Sequence, residues 1–134
     1  MNVGMITCTY YMKIYGYKSP DPFNWGKMSQ KWRDEFTYDD FLDLACEIHD
    51  IGFNAIEIWE PMFSWRKYSL DDAARVARDL HAIGFDDLAY CVGGLGAGDV
   101  DWVEPAYRFA QALGCKVCVG CLIKDDAPDR KSVV

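Results

Sequence analysis

The sequence contains no hydrophobic run long enough to cross a membrane and no excess of basic residues. A membrane-spanning helix needs about 18 or more consecutive apolar residues, and no such run occurs. Lys and Arg number 14 against 21 Asp and Glu, so the formal net charge is −7. Nonspecific nucleic-acid binding needs a basic surface, so that class of function is not expected. Since the N-terminus also lacks the basic-then-apolar plan of a signal peptide, we predict a cytoplasmic protein.

Histidine is scarce, with two residues, whereas cysteine occurs six times. Without an export signal, we predict reduced, buried thiols rather than disulfides. The spacing of Cys115, Cys118 and Cys121 is similar to that of a metal cluster. Because side chains alternate along a strand, Cys118 should point away from the other two, so no zinc or iron–sulfur site is predicted. His49 and His81 occupy the same place in two repeats, near a helix end, and are not expected to be catalytic.

A repeated pattern organises the chain. An amphipathic run ends at a glycine and a short apolar run follows; the three copies end at Gly52, Gly84 and Gly114. Glycine is the usual helix stop because it adopts the left-handed conformation without a Cβ penalty. The run after it is rich in β-branched and aromatic residues, which favours a strand. Repetition at about 30 residues indicates β–α units that form a parallel sheet.

The predicted fold class is α/β, of the (β/α) TIM-barrel type, with four strands and three main helices. The strands are predicted at residues 3–9, 55–59, 88–92 and 116–122. The main helices are predicted to begin at Thr37, at Ser69, and at Asp99 or Asp101, and a short extra helix is predicted at 27–35. Four such strands form half of a (β/α)8 barrel or a small open sheet, and in both the functional groups gather at the C-terminal strand ends. We assign residues 1–124 to the half barrel and 125–134 to a polar tail, which we interpret as a truncation point.

Residues 52–59, Gly-Phe-Asn-Ala-Ile-Glu-Ile-Trp, resemble the second strand of the sugar phosphate isomerase/epimerase family, the xylose-isomerase-like TIM barrels. Residues 1–5 resemble that family's first strand, and residues 106–115 its third helix turning into strand four. The resemblance covers about residues 1–122. It implies a barrel that, in its complete form, moves a proton next to a sugar carbonyl with a divalent metal, Mn, Mg or Zn. The family's metal ligands lie in the second half of the barrel, so none is carried over onto this chain.

Candidate substrate-binding residues lie at the predicted strand ends and in the long loops. Aromatic rings suit the apolar side of a sugar, and five are predicted to surround the barrel mouth: Tyr10, Trp25, Trp59, Trp65 and Tyr90. For each ring, the alternative is that it holds a loop in place. Glu57 should point into the barrel because Ile56 and Ile58 take the helix side. There it would orient substrate or form a buried ion pair. Glu60 would contact substrate or be solvated, and no catalytic residue is assigned.

The glycine-rich segment 93–98 precedes a predicted helix, where phosphate could bind. It lacks the Lys-Ser/Thr of a P-loop, so a flexible loop is the preferred interpretation.

Other interpretations stay open. The chain also resembles the large subunits of C-glycoside deglycosidases, which share this fold. Alternatively it is a non-catalytic half-barrel module, or a truncated product without function. Four open strands expose two edges, which favour pairing with another chain. The predicted partners are a small-molecule sugar or sugar conjugate, and a second copy or partner chain that completes the barrel; neither nucleic acid nor membrane is expected.

Overall fold

The chain forms an α/β fold around a four-stranded parallel sheet. The computed structural model describes residues 1–96 and 101–123, so the predicted tail at 125–134 and the earlier predicted start of the third main helix lie outside it. The strands are β1 (Gly4–Ile6), β2 (Ala55–Trp59), β3 (Asp87–Gly96) and β4 (Val117–Ile123). The helices are α1 (Trp25–Glu35), α2 (Tyr38–Ile51), α3 (Leu70–Ile83) and α4 (Val103–Ala112). The strand order is β1-β2-β3-β4, and every neighbouring pair is parallel.

The predicted strands and main helices are confirmed in number and type, although several of their bounds differ. The first strand stops at Ile6, because the chain turns into a 3-10 helix at Thr7–Tyr10. The third strand continues to Gly96 with an irregular register beyond Val92, so residues 93–96, predicted as loop, belong to it. Helix α4 begins two residues after the later of its predicted starts and lacks a side-chain cap.

Reciprocal capping boxes are present at the predicted starts of α2 and α3. The hydroxyl of Thr37 accepts the backbone N–H of Asp40, whose carboxylate accepts the backbone N–H of Thr37. Ser69 and Asp72 repeat the arrangement at α3. The hydrogen bonds from Thr37 hold the pKa of the Asp40 carboxyl below its usual range, and those from Ser69 do the same at Asp72. Short-range sequence signals therefore fix where α2 and α3 begin.

The helices stop at the predicted glycines. Helix α2 ends at Gly52 with φ 116°, and α3 ends at Gly84 with φ 128°, where a side chain would be strained. The two sites differ in their surroundings. A Cβ at Gly52 would meet open space, whereas a Cβ at Gly84 would collide with the imidazole ring of His49. Gly84 is thus required both for its backbone conformation and for the packing of α2 against the turn.

The helix layer covers one face of the sheet. Ile56, Ile58 and Leu88 are buried between sheet and helices, as the alternation of apolar residues requires. The opposite face, hereafter the open face, has no such cover within the described part of the chain. Val117 and Val119 of β4 are 55% and 41% exposed there. Most of the core therefore lies on the helix side.

A polar network closes the N-terminal end of the sheet. Asp87 at the start of β3 accepts hydrogen bonds from Lys116, beside β4, and from Asn2, beside β1. Asn54 bonds the Asn2 side chain at 3.0 Å and accepts the backbone N–H of Val3 at 2.8 Å. The face of the sheet away from the helices forms an open cleft lined by residues of all four strands, so the open face is concave.

Candidate functional site

The centre of the open face is a row of side chains in register across all four strands. The row consists of Ile6, Glu57, Ala89 and Val117. It lies in an open cleft of about 400 Å³. Glu57 is half-buried within it, whereas Ile58 on the other face is fully buried. The predicted alternation along β2 is confirmed, and it sets one carboxylate in an otherwise apolar row.

Glu57 makes no hydrogen bond or ion pair with any other described residue. Its charge acts on Cys8, just beyond β1, whose thiol pKa is raised by burial and further by that charge. The other carboxylate on this face, Asp87, is already engaged by Lys116, which holds its pKa below the usual range. The buried ion pair that was the alternative for Glu57 is therefore not formed within the described chain. Its oxygens are available to a ligand.

Glu60 is neither solvated nor at a mouth. Its side chain is 0% exposed and lies against Arg33 of α1, with Nη2–Oε2 at 2.6 Å and Nε–Oε1 at 3.1 Å. Ser64 donates a further hydrogen bond, and Arg66 Nη1 lies 3.9 Å away. A carboxylate without water must be paired, so this cluster fixes the turn after β2 against α1. No local sequence pattern indicates this pairing, because Arg33 lies in α1, 27 residues from Glu60 along the chain.

Tyr90 is also placed differently from its prediction. The ring is fully buried on the helix side of β3, with its centroid 5.6 Å from that of Phe109. Its hydroxyl donates to the Phe63 carbonyl at 3.0 Å and accepts the backbone N–H of Trp65 at 3.3 Å. Burial raises the tyrosine pKa well above its ordinary value. The prediction treated Tyr90 as a strand end, but β3 continues beyond it, so Tyr90 is a mid-strand residue that holds the loop after β2.

Trp59 shares the open-face side of β2 with Glu57 but is only 7% exposed. Its backbone N–H donates to the hydroxyl of Thr7 at 2.8 Å. Thr7 is fully buried, and sequence reasoning did not single it out. This bond joins the C-terminal ends of β1 and β2. Because so little of Trp59 is exposed, it offers little surface to a ligand.

Trp25 is the exposed ring of an aromatic cluster in the long first loop. It is 55% exposed, and its centroid lies 5.1 Å from Tyr11 at 33° and 5.1 Å from Phe23 at 87°. The carbonyl of Tyr11 accepts the Trp32 indole N–H at 2.9 Å, which ties the loop to α1. The predicted Tyr10 is not in this cluster. It lies beside Lys13 and Glu47 of α2, and burial raises its pKa.

Trp65 lines a second cleft, of about 440 Å³, between the first turns of α3 and α4. The guanidinium of Arg66 lies 4.5 Å from its ring centroid. The indole N–H of Trp65 is buried and has no hydrogen-bond partner in the described chain. The structure therefore separates the predicted mouth residues: Glu57 lies on the open face, Trp25 in the first loop, and Trp65 in a cleft between helices.

Metal ligands do not cluster among the residues whose side chains are described: no three His, Cys, Asp or Glu come together. Burial raises the pKa of Cys115 to about 12, and also raises that of Cys118. These thiols are protonated at neutral pH, whereas a metal binds the thiolate. The side chain of Cys121 is outside the described residues, as is part of the glycine segment 93–98.

No protein-family model, curated protein or solved structure matches the chain. Within the described ranges, no helix has the length and apolar character that crossing a bilayer requires.

Proposed function

We propose that this chain supplies the N-terminal, substrate-facing half of a sugar isomerase/epimerase-like (β/α)8 barrel. The observation that carries the proposal is the open face: four parallel strands in sequential order, helices on one side, and Glu57 at the centre of the other. The arrangement agrees with the resemblance of residues 52–59 to the family's second strand. In its complete form, such a barrel would move a proton next to a sugar carbonyl, with a divalent metal polarising that carbonyl.

Glu57 would bind the sugar rather than carry out the chemistry. An ionised carboxylate accepts hydrogen bonds on both oxygens, which suits neighbouring hydroxyl groups of a sugar. Ile6 and Ala89 flank it in the row, with Val117 beyond Ala89, and these residues present apolar surface to the C–H groups. Glu57 has no partner in the described chain, so sugar hydroxyls would satisfy a group that enclosure would otherwise leave unpaired.

The described residues do not fit a metal site by themselves. Glu57 is the only carboxylate on the described open face that is not already engaged, since Asp87 is held by Lys116 and Asn2. One carboxylate is fewer than the three protein ligands of a catalytic zinc site, and for Mg²⁺ it would leave most of the coordination to water and substrate. No metal-dependent step is therefore derived for these residues.

The test is a titration of ¹⁵N-labelled protein with ketoses, aldoses, their phosphates and sugar conjugates, with and without Mg²⁺, followed by amide NMR. We expect shifts at Ile6 and Ala89, which border Glu57 in the row, and smaller shifts at Val117, one strand further away. Glu57→Ala should abolish them, because the hydrogen-bond acceptor is lost. Glu104→Gln is the matched control, since that carboxylate lies exposed on α4. Shifts that survive Glu57→Ala, or no shifts with any sugar, would contradict the proposal. A response to the conjugates alone would favour the deglycosidase-like alternative.

A non-catalytic half-barrel module is the second candidate. It is favoured by the exposed apolar residues of the open face, which are typical of surfaces that associate with another chain. A chain that associates and binds no sugar would support it.

A further inference from the structure

The open face combines apolar exposure with two unpaired edges. Ile6 on β1 and Val117 and Val119 on β4 are between 41% and 55% exposed, at opposite sides of the same concave face. Within the described chain, β1 pairs only with β2, and β4 only with β3. The outer edges of both strands therefore present backbone N–H and C=O groups that no described strand satisfies. Such edges are ready to pair with a further strand.

Strand order and direction decide what can pair with both edges at once. A two-fold rotation about an axis parallel to the strands leaves every strand direction unchanged. It therefore brings β4 of one copy beside β1 of the other in parallel orientation, and does so twice. Two four-stranded sheets joined in this way make a closed ring of eight parallel strands, which is the size at which barrel interiors are filled by side chains. The association closes, so it stops at two copies.

The curvature of the sheet agrees with this geometry. The cleft on the open face is lined by residues of β1, β2, β3 and β4, so that face is concave in the direction that closure requires. The lowest level of this face holds Gly4, Ala55 and Asp87, whose carboxylate is engaged by Lys116 and Asn2. The larger side chains, Ile6 and Val117, lie one level higher, and Val119 one level above that.

We propose that the open face and both edges bind a second copy of this chain, so that two chains enclose one eight-stranded parallel barrel. The proposal does not depend on the barrel acting on sugars. In such a dimer the two Glu57 carboxylates lie inside the same barrel, where their like charges oppose association. Glu57→Gln should therefore tighten the dimer, which is a direction of change that damage to the fold cannot imitate.

The experiment is sedimentation equilibrium of the purified full chain over a range of concentrations. We expect a concentration-dependent species of twice the 15.3 kDa chain mass. Val119→Lys should weaken the dimer by at least about tenfold, because it buries an unpaired charge at the interface. Ile51→Lys is the matched control: Ile51 is equally apolar and 62% exposed, but lies at the end of α2 in the helix layer. That variant should remain dimeric.

Several results would overturn the proposal. These are a wild-type chain that stays monomeric at every concentration, assemblies that grow beyond two copies, and a dimer that Val119→Lys leaves intact. A Val119→Lys chain that fails to fold by circular dichroism leaves the decision to Glu57→Gln, for which an unchanged or weaker dimer counts against the proposal. A wild-type chain that is monomeric but still shows the sugar-induced shifts around Glu57 would reject this inference and leave the proposed function standing.

Discussion

Replacing Arg33 by Met tests whether the buried cluster around Glu60 stabilises the fold. Arg33 bonds the Glu60 carboxylate through two nitrogens, and that carboxylate has no exposed surface. Breaking a buried ion pair from one side costs about 3–5 kcal/mol, because a charge is left without its partner. Ser64 still donates to the carboxylate, and Arg66 could approach from 3.9 Å. We therefore expect the lower end, a loss of about 3 kcal/mol in the free energy of unfolding.

The assay is urea unfolding at neutral pH and one fixed protein concentration, followed by far-UV circular dichroism. A double-mutant cycle supplies the control. Glu60→Gln should cost less than Arg33→Met, since Arg33 is 17% exposed and can reach water when its partner is removed. The double variant should be more stable than the sum of the two losses predicts, because no charge remains buried alone. A loss below about 1 kcal/mol for Arg33→Met, or simple additivity, would refute the reasoning.

Two further predictions concern the helix ends. Gly84→Ala should destabilise the protein more than Gly52→Ala, because both positions have φ above +110° but only at Gly84 does the new methyl collide with His49. We expect about 1 kcal/mol at Gly52 and about 1–3 kcal/mol more at Gly84, from urea midpoints; equal losses would show that the imidazole gives way freely. Thr37→Ala should cost about 1 kcal/mol at pH 7. Folding lowers the pKa of Asp40. The contribution of Asp40 to the free energy of unfolding is therefore fully present above the carboxyl pKa of the unfolded chain, about 4, and is lost as the pH falls through the pKa of the folded protein. The difference in free energy of unfolding between wild type and Thr37→Ala, measured at pH 7 and near pH 3, should therefore be smaller in acid. An equal difference at both pH values would contradict the coupling between the cap and the Asp40 charge.

The features that could be predicted from the sequence are those whose signals lie within a few residues. Thr37 and Asp40 are three residues apart, so the capping box is visible as a pattern. The stop at Gly52 follows in the same way from an amphipathic run and a glycine. The outward position of Glu57 needed only the alternation of its neighbours along one strand. In each case the chemistry and the geometry belong to one element.

The positions that the sequence did not predict have two different causes. Glu60 is one residue beyond β2, and nothing near it in sequence indicates that Arg33 of α1 will remove it from solvent. Trp59 shares the open-face side of β2 with Glu57, and nothing near it in sequence indicates that it will be only 7% exposed. Tertiary packing, rather than local preference, decides these two positions. Tyr90 is a different case, because alternation along β3 already predicts its position: Ala89 is in register with Glu57, so Tyr90 takes the helix side whatever the length of the strand.

Glu57 links the two proposals and gives them a common physical requirement. A closed barrel of two copies would bring two carboxylates into an interior where the described chain provides neither of them with a partner. Each must then gain hydrogen bonds or a counter-charge, or association must bear the cost of enclosing them. A sugar whose hydroxyls bond both carboxylates would meet this need only in the dimer, so sugar binding and association would strengthen one another. A sugar that binds the two states equally would leave the dimer unchanged, which would mean that Glu57 is satisfied before the barrel closes.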